Sequence, residues 1–138
     1  MSLPAFDDLQ VGDTLPPLAL PPINRTTLAL FAGASNDHNP MHIDIDYARR
    51  GGMPDVFAHG MLSMAYLGRL LTQWVDQRRI RQFNARFTGI THLGDEITCT
   101  GTVVQKFEAD GERRVKVEIQ TANQAGETRI LGDATVAL

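Results

Sequence analysis

The chain has 138 residues, of which 43% are hydrophobic and 21% charged, and its formal net charge is -3 at pH 7. This length suits a single domain covering residues 1–138 with one hydrophobic core, and the composition is that of a globular protein. The small negative charge provides no strong attraction for phosphate backbones or anionic lipids, so neither nucleic acid nor a membrane is an expected partner.

The first part of the chain predicts an extended segment followed by a short helix. The opening MSLPAFDDLQ lacks the basic and apolar regions of a secretory signal, which predicts a cytoplasmic protein. The next run, VGDTLPPLALPPI, is apolar but interrupted by prolines, as in an edge strand. After the potential cap Asn24, apolar side chains recur at helical spacing, which predicts an amphipathic helix that ends near Ser35.

Two more helices are predicted before the middle of the chain. In DIDYARRGG, Asp44 or Asp46 can cap a short helix that Gly51 ends. The stretch from Met61 to Val75 is apolar around most of its circumference, which predicts a helix surrounded by protein on nearly all sides. It is shorter than the roughly 20 residues that a membrane-spanning helix needs, so we expect a core helix.

The second half of the chain predicts strands. Its alternating or β-branched runs cover residues 80–90, 95–109, 113–123 and 128–138. Asp110-Gly111 and the segment 124–126 are short enough to connect antiparallel hairpins. The single cysteine, Cys99, excludes an internal disulfide. Together these elements predict an α+β architecture in which an antiparallel sheet curls around one long apolar helix.

The segment DHNPMH concentrates polar chemistry in an otherwise apolar part of the chain. Because the residue before Pro40 is restricted to extended conformations, the chain turns there and the side chains of Asp37 and His42 can converge. A carboxylate and an imidazole that share one water can act together, one taking its proton while the other returns one to carbon. Alternatively, Asp37 caps the following turn and His42 is a hydrogen-bonded core histidine.

A second polar signal, His59-Gly60, comes directly before the long helix. The N-terminus of a helix presents unpaired N–H groups, so the amide of Gly60 can stabilise a developing oxyanion, and the missing side chain lets a ligand approach. Alternatively, Gly60 only allows the chain to turn tightly into the helix. His59 is expected to orient this loop through a ring hydrogen bond.

Other polar residues give weaker signals. His38 and His42 have the spacing of a helical zinc pair, but Pro40 interrupts the helix and no Cys-x-x-Cys accompanies them, so no metal is expected. His92 is expected in a loop. Ser63 lacks the Gly-x-Ser-x-Gly surroundings of a nucleophile elbow, so a serine hydrolase is not indicated.

The segments ASNDHNPMHIDIDYA and MPDVFAHGMLSMAYL together resemble the MaoC-like dehydratases and (R)-specific enoyl-CoA hydratases. The family motifs are Ser-Gly-Asp-x-Asn-Pro-x-His and a later Ala/Val-His-Gly-Met/Leu. The resemblance implies the hotdog fold, a curved antiparallel sheet around a central helix. It also implies that Asp37 and His42 are the catalytic pair, that Asn39 holds their loop, and that Gly60 donates its N–H to a thioester oxygen.

In that family the substrate is a trans-2-enoyl thioester of CoA or acyl carrier protein. The enzyme adds water to it to give an (R)-3-hydroxyacyl thioester, or catalyses the reverse dehydration. The resemblance implies no metal or redox cofactor, and it implies a homodimer or a higher oligomer of dimers. The side chains expected to contact the substrate are Asn39, Met41, Phe57, His59 and Met61, and Met53 and Trp74 are further candidates for the pocket wall.

The sequence departs from the family pattern at two positions. Asn36 replaces the glycine that commonly precedes the aspartate, and asparagine is among the residues best able to adopt a positive φ. At Ala65 some members have a serine that supports the active site. This second departure affects the expected substrate preference rather than the expected reaction.

Two other functions remain open from the sequence. A thioesterase on the same fold would direct water at the thioester carbonyl instead of C3. A non-catalytic subunit would bind acyl chains or complete the active site of another hotdog protein.

Overall fold

The computed structural model of the protein describes residues 3–138. These residues form three α-helices, three 3₁₀ turns and one sheet of five strands. The helices are α1 (Arg25–Ser35), α2 (Ile45–Arg50) and α3 (Gly60–Trp74), and the 3₁₀ turns are Phe6–Asp8, Pro40–His42 and Gln77–Arg79. The strands are β1 (Leu18–Ala19), β2 (Ile80–Phe87), β3 (Thr98–Ala109), β4 (Glu112–Ala122) and β5 (Thr128–Ala137).

The helix ends follow local capping chemistry, as predicted. The side chain of Asn24 accepts a hydrogen bond from the N–H of Thr27 at 2.8 Å and so caps α1. Asp44, rather than Asp46, caps α2, because its carboxylate accepts from the first free N–H groups of that helix. Gly51 ends α2. The predictions of both short helices are confirmed.

The sheet has the order β1-β3-β4-β5-β2, and every neighbouring pair is antiparallel. Asp110 and Gly111 connect β3 to β4 with φ values of 52° and 72°, the left-handed pair that a tight hairpin requires. The predicted α+β architecture with two hairpins is confirmed.

The N-terminal arm, residues 12–20, covers the outer edge of β3. Gly12, Leu15 and Leu20 each donate a backbone hydrogen bond to β3 or to the residue before it, at 2.8 to 2.9 Å. Only Leu18–Ala19 forms a regular strand, because Pro16, Pro17 and Pro21 lack the N–H that a longer ladder needs. The predicted edge strand is therefore present but very short.

Helix α3 packs one side on the sheet and leaves another side open. Leu67, Leu70 and Leu71 are buried in the main core with residues of β3, β4 and β5. The opposite face, which carries Met61 and Ala65, is exposed along with the polar positions Arg69, Thr72 and Gln73. The prediction that protein surrounds α3 on nearly all sides is therefore wrong for the single chain. Apolar character predicted burial, but the sheet covers only one side of the helix.

A second, smaller core holds the region between α1 and α3. It consists of buried side chains from α1, α2, α3 and the loops beside them, namely Ile23, Leu28, Ala48, Val56, Ala58 and Leu62. Tyr66 packs against both cores and so joins the two parts. This second core fixes the segment between α1 and α2 against the start of α3. Within residues 3–138, no helix has the length and hydrophobicity that crossing a membrane requires.

Candidate active site

Asp37 is held in a tight loop after α1. Asn36 ends α1 in the left-handed conformation, with φ of 60°, as expected for the residue that replaces the family glycine. Ser35 Oγ donates to the carbonyl of Phe31 at 2.7 Å and accepts from the N–H of Asp37 at 3.2 Å. The carboxylate of Asp37 accepts from the N–H of Asn39 at 3.2 Å. One oxygen therefore caps the turn, and this half-buried carboxylate has a second oxygen for other partners.

His42 is the last residue of the 3₁₀ turn that Pro40 begins. The side chain of Asn39 caps this turn by accepting from the N–H of Met41 at 3.0 Å. His42 is buried, and its Nδ1 lies 2.7 Å from the carbonyl oxygen of Phe57. Because a carbonyl can only accept, Nδ1 carries the hydrogen of the neutral ring. Nε2 is left with the lone pair, so it is the atom that can exchange a proton with a reactant.

The structure brings Asp37, His42 and His59 together. A carboxylate oxygen of Asp37 and one ring nitrogen of each histidine all lie within 4.8 Å of one another. The two imidazole rings are stacked, with centroids 4.0 Å apart and planes inclined by 28°. His38, on the same loop, is exposed and is not part of this cluster.

The stacking makes this trio a poor metal site despite its composition. A metal ion lies near the plane of each imidazole that binds it, along the nitrogen lone pair. Because the two rings are stacked about 4.0 Å apart in planes inclined by only 28°, one ion cannot lie close to both ring planes. In addition, each ring already has one nitrogen paired with a backbone carbonyl. The geometry suits proton transfer better than coordination.

Gly60 is the first residue of α3, and its N–H donates to no acceptor within residues 3–138. The side chain of His59, at the N-cap, does not cap the helix. This amide thus has no acceptor at the positive end of α3, the longest helix in the described residues. This is the arrangement predicted for an oxyanion donor.

A small cavity of about 130 Å³ lies next to Gly60. Its walls come from the loop before α3, the first turn of α3, the end of β2, the loop that follows β2 and the start of β5. They are Phe57, Ala58, Gly60, Ser63, Phe87, Gly89, Ile90, Thr91 and Ile130. The ring of Phe87 lies so close to Gly60 that an added Cβ would be 3.0 Å from it. The missing side chain at Gly60 therefore makes room for the ring of Phe87 as well as for an approaching ligand.

The predicted substrate-contacting residues do not all line this cavity. Phe57 does, while Met61 is exposed beside Gly60 and Met41 packs its thioether against Gly51. Asn39 caps the turn that contains His42, and His59 is almost completely buried. Of the additional wall candidates, Met53 packs against the second core and Trp74 against the main core.

Sequence reasoning missed the part of the site that follows β2. Phe87, Ile90 and Thr91 line the cavity, yet they are distant in sequence from both motifs. The only available signal was an apolar residue at each end of the segment FTGI. A larger cavity of about 630 Å³ lies elsewhere, on the face of β2–β5 that points away from α3, and none of the predicted catalytic residues lines it.

The chain offers little for covalent catalysis near this site. Ser63 Oγ is buried and has no hydrogen-bond partner within the described chain, so no base activates it. Cys99 is buried in the main core, and burial raises the pKa of its thiol to about 12. The polar side chains here that can act together on a water molecule are those of Asp37 and His42.

Known proteins share this fold over nearly its whole length. The sequence profile described as MaoC like domain matches residues 11–125. An (R)-specific enoyl-CoA hydratase of Rhodospirillum rubrum is 30% identical over 133 residues, which cover 95% of this chain and 89% of that protein. A mitochondrial 3-hydroxyacyl-[acyl-carrier-protein] dehydratase of Arabidopsis thaliana is 25% identical over 131 residues, or 94% of this chain and 78% of that protein.

Among solved structures, the unliganded R-hydratase PhaJ1 of Pseudomonas aeruginosa is similar to this chain, with a TM-score of 0.83 and 29% identity. The match covers 95% of this chain and 83% of that one. The predicted hotdog fold is thereby confirmed.

Proposed function

Because the chain belongs to the MaoC-like domain family, we propose that it is a hydratase/dehydratase of acyl thioesters. It adds water to a trans-2-enoyl thioester of CoA or acyl carrier protein, or removes water from the (R)-3-hydroxyacyl thioester. The observation that carries the proposal is the convergence of Asp37 and His42, which have a carboxylate oxygen and a ring nitrogen within 4.8 Å of each other, beside the loop that leads into Gly60. The two enzyme relatives, an (R)-specific enoyl-CoA hydratase and a 3-hydroxyacyl-[acyl-carrier-protein] dehydratase, support the same reaction.

In the hydration direction, the Asp37 carboxylate and Nε2 of His42 hold one water molecule. The pair takes a proton from this water as its oxygen forms a bond to C3 of the enoyl thioester, and it returns a proton to C2. The π electrons of C2=C3 move towards the thioester carbonyl, whose oxygen becomes negative. The free N–H of Gly60, at the N-terminus of α3, stabilises that oxygen. Dehydration is the same sequence in reverse.

The first prediction tests the pair directly. Asp37→Asn and His42→Ala should each lower the hydration rate of crotonyl-CoA by about 10² to 10⁴-fold, the usual contribution of a general acid or base. The rate is measured as loss of enoyl absorbance, and circular dichroism checks that each variant is folded. His92→Gln is the matched control, because His92 is exposed and should keep the parental rate. Parental activity in either of the first two variants contradicts the proposal.

The same preparations separate the alternative functions. A thioesterase would release free thiol from acyl-CoA, and a non-catalytic subunit would show no turnover alone. A series of enoyl-CoA chain lengths, with the chirality of the product determined, would define the pocket and the stereochemistry. A parallel series on carrier protein would identify the preferred carrier.

We also propose that the active enzyme is a homodimer. Large apolar side chains are exposed around Gly60, with relative exposures of 53% for Met61, 48% for Phe87 and 41% for Ile90. The outer edge of β2 has no strand partner within the described chain. A second copy that covers this region would close the site and deepen the small cavity. A cytoplasmic location stays a prediction.

A further inference from the structure

The ring of His59 lies between α1 and the catalytic loop. It is 1% exposed and belongs to the N-cap residue of α3. One face of the ring is stacked on His42, with the centroids 4.0 Å apart. The ring also meets Phe31 of α1 edge to face, with the centroids 5.0 Å apart. The imidazole of His42 therefore rests on a side chain that two helices hold in place.

The same ring also binds the main chain at Asp37. His59 Nε2 lies 3.2 Å from the carbonyl oxygen of Asp37, which is 22 residues away in sequence. Because this oxygen only accepts, the ring hydrogen is on Nε2, and Nδ1 keeps the lone pair. Nδ1 is buried and has no hydrogen-bond partner within the described chain. A proton on Nδ1 would create a buried charge whose hydrogen has no acceptor.

These surroundings keep His59 neutral. Burial is the main cause that lowers the pKa of His59 from 6.5, and the nearby His42 lowers it further, while the hydrogen bond and charge of Asp37 oppose the shift. His42 and Asp37 are the titratable groups that face the ring, and Phe31 carries no charge. A neutral ring at this position lets His42 accept a proton without a second positive charge 4.0 Å away.

We infer that His59 is a positioning residue, which fixes the main chain of Asp37 and the ring plane of His42 with one neutral imidazole. This inference rests on the proposed function, because it assumes that Asp37 and His42 form the catalytic pair. It extends the expectation that His59 orients the loop through a ring hydrogen bond, and it departs from the expectation that His59 contacts the substrate, since the ring is buried against His42. The alignment of Asp37 and His42 therefore depends on one side chain that does not itself transfer a proton.

Two substitutions separate the hydrogen bond from the stacking. His59→Gln retains an N–H donor near the position of Nε2 but removes the flat ring, whereas His59→Phe retains a flat ring but removes the donor. Because a misplacement of about 1 Å can cost about 10²-fold, we expect kcat for crotonyl-CoA to fall about 10²-fold in His59→Phe and about tenfold in His59→Gln. KM should change by less than about threefold, because no substrate contact is lost.

The outcomes that overturn the inference are distinct. If the His59 variants show a raised KM with unchanged kcat, His59 contacts the substrate. If neither kcat nor KM changes, His59 contributes only to packing. His92→Gln is again the control, since it removes an exposed histidine and should leave both parameters unchanged. If Asp37→Asn and His42→Ala keep their activity, the proposed function fails. If those two are inactive and the His59 variants are not impaired, only this inference fails.

A measurement on the unmodified protein avoids any question of variant folding. Nitrogen-15 NMR of the histidine rings should show His59 as the neutral tautomer with its hydrogen on Nε2, unchanged from pH 8 to pH 6.5. Protonation of the ring midway through that range, or a hydrogen on Nδ1, overturns the inference. The exposed His38 and His92 provide internal reference signals in the same spectrum.

Discussion

At the scale of single residues, the contact between Gly60 and Phe87 combines packing with access to the site. Gly60 has no side chain, and the ring of Phe87 lies only 3.0 Å from the position that a Cβ would occupy. The same residue offers the free N–H at the start of α3. Two requirements therefore act on one glycine, and substitutions can separate them.

We predict that Gly60→Ala destabilises the fold by about 1–3 kcal/mol, because the added methyl group must displace the ring of Phe87. It should also slow the hydration of crotonyl-CoA. In the double variant Gly60→Ala/Phe87→Ala, denaturant unfolding should show recovered stability, while the rate should stay at least roughly tenfold below that of Phe87→Ala alone. Recovery of the full rate would mean that Gly60 serves packing only.

The control for this pair is Gly68→Ala, on the same helix. A Cβ at Gly68 would be 3.7 Å from the ring of Phe83, an ordinary van der Waals distance. This change should leave activity intact and, since alanine favours a helix over glycine, raise stability by up to about 1 kcal/mol.

At the scale of elements, the sequence predicted the helix caps and the tight turn, because interactions between neighbouring residues determine them. The caps Asn24 and Asp44 and the turn Asp110-Gly111 act within a few residues of themselves, so their patterns can be read directly. The exposed face of α3 was not predicted, because an apolar residue such as Met61 does not reveal what covers it. In the site, the Asp37/His42 pair came from a short motif, but its neighbour Phe87 is brought there only by the long-range pairing of β2 with β5.

An ion-pair network holds the edge strand β2 to the start of β4. Glu112 accepts hydrogen bonds from Arg81 of β2 at 2.7 to 3.2 Å and from Arg114 at 3.0 Å. These side chains reach across β5, which lies between β2 and β4 in the sheet. The hydrogen bonds from Arg81 and then Arg114 lower the pKa of Glu112 to about 2.

We predict that this network stabilises the fold only above acidic pH. Since the folded pKa of Glu112 lies below its unfolded value of 4.5, its contribution is complete above that value and disappears as the pH falls towards about 2. The difference in Tm between the parent and Glu112→Gln should therefore shrink from pH 6 to pH 2. It should also be small and decrease in high salt, because the partners are partly exposed. A difference that is constant with pH contradicts this origin.

At the scale of the whole molecule, the open side of α3 and the apolar surface around Gly60 predict self-association. The expected mass in solution is twice the 15.2 kDa of one chain, measured by light scattering or sedimentation. Met61→Glu places a charge in this surface and should weaken association at least roughly tenfold and reduce activity. Leu30→Glu changes another exposed apolar residue, on α1, and should remain dimeric. A single-chain mass with full activity would contradict the dimer.

The N-terminal arm along β3 decides how far such an assembly can grow. The arm covers one edge of the sheet through its own backbone hydrogen bonds. Because its prolines lack an N–H, it offers few hydrogen-bond donors to a further strand. Within the part of the chain that the structure describes, only the β2 edge of the sheet is thus open to another strand. When two molecules pair their β2 edges about a twofold axis, neither keeps a free edge there, so the assembly closes as a dimer. The N-terminal arm covers the other edge of the sheet and so blocks edge-to-edge growth into fibrils.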